Sequence, residues 1–171
     1  MESTFAVEPK SRSDLRNLAS TIRKVLSLEN CLFFPAVEVL ELLQYFDEDA
    51  HFEVVPFEEL GPNIHADTDI VNKVIRIRED VYERACDGSG RDRMTIVHEF
   101  AHFMMICIYG FKLSRSFSFP IDPCRDPEWQ AKCLAGELMM DFSLIKGMSA
   151  YEVAEACGVS LDAAEYQLSK I

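Results

Sequence analysis

The sequence predicts an α+β domain, mostly helical with a small three-stranded sheet. Three observations predict it. Segments in both halves repeat apolar residues every three or four positions, the spacing of helices with one buried face. Three short runs between residues 52 and 78 are strand-like instead. And 171 residues with 49% apolar content supply a sizeable core without disulfide staples.

Residues 1–10 carry no pattern. From Ser13, the residues Leu15, Leu18, Ala19, Ile22, Val25 and Leu26 define an amphipathic helix. Pro35 suits the first turn of a second helix over Ala36–Phe46. Phe52–Phe57 alternates enough for a strand. Asn63–Ala66 and Asn72–Arg78 read as two more strands around a polar Asp67-Thr68-Asp69 turn, the second with β-branched Val74, Ile75 and Ile77. Asp80–Cys86 reads as a short helix, closed by Gly88-Ser89-Gly90. A long helix follows over Arg91–Ile108. The connection Tyr109–Arg125 holds Gly110, Pro120 and Pro123, and loops that long inside compact domains are usually functional. Asp126-Pro127-Glu128 reads as N-cap, N1 and N2 of the next helix, running to Met140. Ser149 and Ser160 cap two short helices separated by Gly158. The chain divides into a larger unit over 1–146 and a C-terminal helical hairpin over 147–171 packed on it.

Acidic residues number 29 against 17 basic ones, for a net charge of −12. Such a chain repels phosphate backbones, and direct binding to nucleic acid is not expected. The longest apolar stretch, Met94–Tyr109, is interrupted by His98, Glu99 and His102. It is too short and polar to span a bilayer, and no membrane is expected. The N-terminal residues have acidic groups and no apolar h-region, so they do not read as a signal peptide. The six cysteines include no Cys-x-x-Cys pair. They read as reduced thiols of a cytoplasmic protein, with Cys107 and Cys133 in the core.

The strongest chemical signal is His98-Glu99-Phe100-Ala101-His102, an H-E-x-x-H match. Residues four apart on a helix project about 40° from each other, so both imidazoles can share one metal ion. Glu99 lies beside them, in reach of a water on that metal without being a ligand. This is what a zinc peptidase needs: the ion acidifies a water and the carboxylate takes its proton. Met94, Ile96, Val97, Phe100, Ala101, Phe103, Met104 and Met105 make the helix apolar nearly all round, hence buried. Two histidines and a carboxylate buried there without partners would be costly, and a metal resolves that cost.

A third protein ligand is required. Met105 and Ile108 stand where an extended H-E-x-x-H-x-x-G-x-x-H motif needs Gly and His, and no histidine follows His102. The third ligand is therefore a carboxylate or a cysteine. In the next helix, Ala131, Leu134, Ala135, Leu138 and Phe142 define the buried face. Glu128 lies about 50° from its centre and Glu137 about 130° away, on the outer side. Glu128 is the carboxylate that looks inward. Asp122, Cys124 and Asp126 are rivals on the loop.

These segments resemble the ImmA/IrrE family of metallopeptidases. Members show Arg-x-Thr-x-Ala-His-Glu-x-x-His where this chain reads Arg93-Met94-Thr95-Ile96-Val97-His98-Glu99-Phe100-Ala101-His102. About thirty residues on, they show Glu-x-Glu-Ala-Asn-x-Phe-Ala-Ala-Glu-Leu-Leu-Met-Pro. The stretch Glu128 to Asp141 is similar, with Lys132 for the usual Asn and Asp141 for the usual Pro. The resemblance implies a zincin-like fold and a Zn²⁺ ion held by His98, His102 and Glu128, with Glu99 as catalytic base. It implies a cytoplasmic endopeptidase that cuts a cognate helix-turn-helix repressor and so derepresses mobile-element, phage or stress genes. It also implies an edge strand along the cleft, Asn63–Ala66 or Asn72–Arg78, to which an extended peptide adds. The alternative is a non-catalytic zinc-binding regulator that binds a repressor or toxin partner.

Weaker features complete the reading. Gly158, Val159 and Ser160 resemble the turn of a helix-turn-helix, but the following helix carries Asp162 and Glu165 and few cations. It suits packing or repressor docking better than DNA. His65, Tyr109 and Arg115 are candidates for substrate binding. Arg115 belongs to a loop, Phe111–Phe119, in which aromatic and basic residues occur together.

Overall fold

A computed structural model describes residues 5–110, 114–115 and 121–171, the side chains of Phe5, Ser114 and Arg115 excepted. The fold is α+β, predominantly helical, with a three-stranded mixed sheet.

Helix α1 (Arg12–Val25) starts at a capping box: the Ser11 hydroxyl accepts from Asp14 N–H while Asp14 reaches back to Ser11 N–H. Leu15, Leu18, Ala19 and Ile22 of its apolar stripe are buried and Leu26 is half-buried, whereas Val25 in the last turn is exposed. The expected helix over Ala36–Phe46 is instead a 3₁₀ turn, Glu38–Leu42, followed by a short α2 (Leu43–Phe46). The pattern misleads because Val39, Leu40 and Leu43 are buried, a spacing that serves either kind of turn.

Strand β2 (His51–Val55) stops before Pro56, and Phe57 opens the short helix α3 (Phe57–Leu60) instead of ending the strand. Strands β3 (Ala66–Asp69) and β4 (Val74–Arg78) form an antiparallel pair, and β2 runs parallel to β4 on its other side. The expected Asp67-Thr68-Asp69 turn is therefore strand. Asp67 faces Arg76 across the pair and accepts from its Nε at 2.9 Å. The turn is made one residue later. The Asp69 carboxylate accepts from the N–H groups of Val71 and Asn72, an Asx turn, and Lys73 closes it at φ 54°. Because β4 is central, Asn72–Arg78 is not an edge; β2 and β3 are the edges, and β3 is the one that lies against α5.

Helix α4 (Glu79–Cys86) leads to α5 (Gly90–Tyr109), the spine of the molecule. Ser89 caps α5 and Gly110, at φ 71°, ends it. Along α5, Ile96, Val97, Phe100, Ala101, Phe103 and Met104 are buried, whereas the last turn emerges: Cys107 is exposed, not a core thiol. Two-residue strands β1 (Phe5–Ala6) and β5 (Ser114–Arg115) pair antiparallel. A 3₁₀ turn, Pro123–Arg125, precedes α6 (Pro127–Met139), with Asp126 as N-cap and Pro127 at N1 as expected.

Helix α6 is covered on both flanks, by α5 and by α1. This corrects the outward placement of Glu137, which is 1% exposed and faces Arg12 and Arg16 of α1. Asp141 caps a further short helix, α7 (Phe142–Ile145), and lies 3.6 Å from the buried Arg23. Helices α8 (Ala150–Cys157) and α9 (Leu161–Leu168) form the predicted hairpin, with Ser149 and Ser160 as N-caps and Gly158 in the left-handed region. The hairpin is fastened to the start of α5. Buried Arg93 donates to the carbonyls of Gly158 at 2.5 Å, Cys157 at 3.2 Å and Phe34 at 2.6 Å. All six cysteines are free. Among the described residues, no helix is long and apolar enough to cross a membrane.

Candidate metal centre

His98 and His102 share one face of α5, their rings edge to face at 87° and their Nε2 atoms 3.1 Å apart. Helix α6 brings Glu128 to meet them. One of its carboxylate oxygens lies 3.3 Å from His98 Nε2 and the other 3.2 Å from His102 Nε2. Asp126 acts one step back, accepting from Glu128 N–H at 3.0 Å and so fixing the first turn that presents the carboxylate. Among the described residues, these three form the one group of histidine, cysteine or acidic side chains whose donor atoms lie within 4.8 Å of one another. Asp122 is engaged in capping the 3₁₀ turn, and neither it nor Cys124 or Asp126 joins the group.

The donor set fits a small divalent cation. Four ligands at about 2.0–2.1 Å in a tetrahedral array hold neighbouring donors about 3.3 Å apart, close to all three separations here. Two Nε2 atoms at 3.1 Å cannot both point hydrogens at each other, so at least one presents a lone pair inward. The imidazoles are about one-fifth exposed and Glu128 is 44% exposed, leaving the group open on one side. The hydrogen bonds from His102 and His98 hold the Glu128 carboxyl well below the usual carboxylate range, against the opposing effect of burial.

Glu99 stands apart from this group. It is 9% exposed, and burial pushes its carboxyl above the usual range, with the nearby imidazoles of His102 and His98 pulling the other way. The Thr68 hydroxyl, on edge strand β3, donates to Glu99 Oε2 at 2.8 Å. Thr68 is the residue of this candidate site that sequence reasoning missed. The signal was present: a β-branched residue is a poor turn former and a good strand former.

A cavity of about 650 Å³ opens over the centre, within the range of ligand sites. His98, Glu99, His102 and Glu128 lie on its floor, and Ala66, Asp67 and Thr68 of β3 form one wall. Both His65 and Tyr109 line it. Tyr109 also carries the Lys10 ammonium 4.0 Å over its ring. Neither residue belongs to the donor group. The side chain of Arg115, and all of Phe111–Phe119 except the backbone of β5, lie outside the described residues. The N-terminal segment, patternless in sequence, reaches the cavity through Val7, Glu8 and Lys10. It is tied there by backbone bonds to Arg125 and Cys124 and by Gln130, whose amide donates to Glu8 O at 2.8 Å. No family model matches the chain, and no curated protein matches it.

Proposed function

We propose that the chain is a zinc-dependent endopeptidase of the ImmA/IrrE kind, built on a zincin-like fold. It would act in the cytoplasm on a cognate helix-turn-helix repressor. One observation carries the reading. Two imidazole nitrogens and a carboxylate from separate helices converge at tetrahedral spacing, beside a buried carboxyl that is not one of the three donors.

Zinc held by His98, His102 and Glu128 would polarise a peptide carbonyl and acidify a water. The chain's own groups account for the rest. Glu99 accepts the proton of the attacking water and later delivers it to the departing amine, as general base and then general acid. Thr68 fixes Oε2 of that carboxyl, leaving Oε1 for the travelling proton. The exposed side of β3 offers backbone groups to an extended peptide, which adds as a further strand and brings its scissile bond over the floor of the cavity. His65 and Tyr109 flank that path.

The test is cleavage of a candidate helix-turn-helix repressor, sought among the reading frames that flank this one, by wild type and by Glu99→Gln. Cleavage by the variant should fall by roughly 10³-fold, the scale of a lost general base. Zinc content should be unchanged in Glu99→Gln and lost in His98→Ala. Equal cleavage by both proteins, or none by the wild type, would sink the proposal; the latter outcome with retained zinc would favour the non-catalytic regulator.

A further inference from the structure

A second cavity, of about 560 Å³, lies between α5, α6 and α9. Its walls are chiefly apolar, with Met94, Trp129, Met140 and Ala163 among them. Two observations point to an occupant. First, Gln167 lines this cavity while being 1% exposed, and its buried amide nitrogen makes no hydrogen bond among the described residues. A buried amide without partners is uncommon, because its desolvation goes uncompensated. The amide is accommodated by a glycine: a Cβ on Gly136 would stand 3.0 Å from Gln167 Oε1. Second, the charge is opposite to that of the chain as a whole. Arg12, Arg91 and Lys132 contribute to the lining against the single carboxylate of Asp162, in a chain of net charge −12. Arg12 is bonded to Glu137, but Arg91 and Lys132 are exposed and in no ion pair among the described residues.

We propose that this cavity binds a small amphipathic acid, in the simplest case a medium-length aliphatic carboxylate. Its apolar body fills the space between Met94, Trp129 and Met140. Its carboxylate accepts from the Gln167 amide, which can turn either end towards the cavity, and is held by the surrounding cations. Thr95 and His98 line both cavities, so the occupant touches a residue of the metal group from behind.

Trp129 is the only tryptophan of the chain, and its emission reports on the cavity directly. The experiment titrates the full chain with sodium octanoate, with 1-octanol and acetate as comparison probes. A saturable emission shift with octanoate is expected, roughly tenfold weaker with octanol and absent with acetate. Ala163→Phe, which fills the space, and Gln167→Leu, which removes the amide at similar size, should each weaken octanoate by roughly tenfold. Gln167→Leu should also raise the unfolding midpoint of the free protein, since it removes an unsatisfied buried group. His102→Ala, which disables the metal centre, should leave the titration unchanged. No saturable shift, a shift that survives both Ala163→Phe and Gln167→Leu, or one lost in His102→Ala would overturn the proposal. The readout requires neither metal nor catalysis, so its failure is separate from that of the peptidase reading.

Discussion

Glu128 and Glu137 sit on the same helix, and each meets two nitrogen-bearing side chains, yet their surroundings suit opposite tasks. Glu137 is buried against Arg12 and Arg16, with Arg16 Nε at 2.9 Å and Nη2 at 3.1 Å in a fork-to-fork pair. Guanidinium groups stay charged at any ordinary pH and have no lone pair to offer, so the carboxylate is neutralised for good. Glu128 is half-exposed and meets two imidazoles. Imidazoles, unlike guanidinium groups, can offer lone pairs, so this cluster can take up a cation. The identity of the partners separates a structural carboxylate from a metal-binding one.

The sharpest way to break this contrast is to remove each carboxylate in turn. Glu128→Ala should lower divalent-metal affinity by at least roughly 100-fold, since losing a direct donor exceeds losing an outer partner. The metal-free chain should lose less stability than it does with Glu137→Gln, because Glu128 is half-exposed. Competition against a chromogenic chelator measures the first and chemical denaturation the second. Glu137→Gln should do the reverse. It leaves two guanidinium groups against a neutral amide, at a stability loss of about 2–3 kcal/mol with metal affinity intact. If both variants lose metal equally, the two sites are not distinct.

Cys133 sharpens the Glu137 side of the comparison. Burial lifts its thiol from 9.0 to about 11, with Glu137 adding to the lift and Arg12 opposing it. A raised value means that the native thiol stays protonated where the unfolded one ionises. Its contribution is therefore complete below pH 9.0 and lost as pH rises towards 11. Denaturation across that window should show up to about 3 kcal/mol of lost stability that Cys133→Ala does not share. The smallest expected effect belongs to Thr68→Val. Removing the hydroxyl beside Glu99 should slow cleavage by roughly three- to tenfold through kcat, with KM and metal content unchanged.

Much of this architecture was legible in residue order. The helix of His98 and His102, the capped start of α6 and the inward turn of Glu128 follow from spacing and cap chemistry alone, because local rules decide them. Glu137 did not follow. A single helical stripe assumes one buried face, and α6 has a second one, supplied by a helix more than a hundred residues earlier. The strand at Thr68 was hidden because two flanking aspartates mimic a turn, and only their cross-strand partner, Arg76, shows otherwise. Gln167 lies beyond any local rule, since its situation depends on a glycine three helices earlier in the chain.

Arg93 gives the C-terminal hairpin a significance its position would not suggest. The guanidinium that gathers carbonyls from residues 34, 157 and 158 belongs to the helix that carries His98, little more than one turn downstream. Strain applied at the tail thus has a stiff lever to the imidazoles. Cutting the chain before residue 147 would unmoor the spine itself, and deletion studies of the tail will report on the metal as much as on whatever the tail touches.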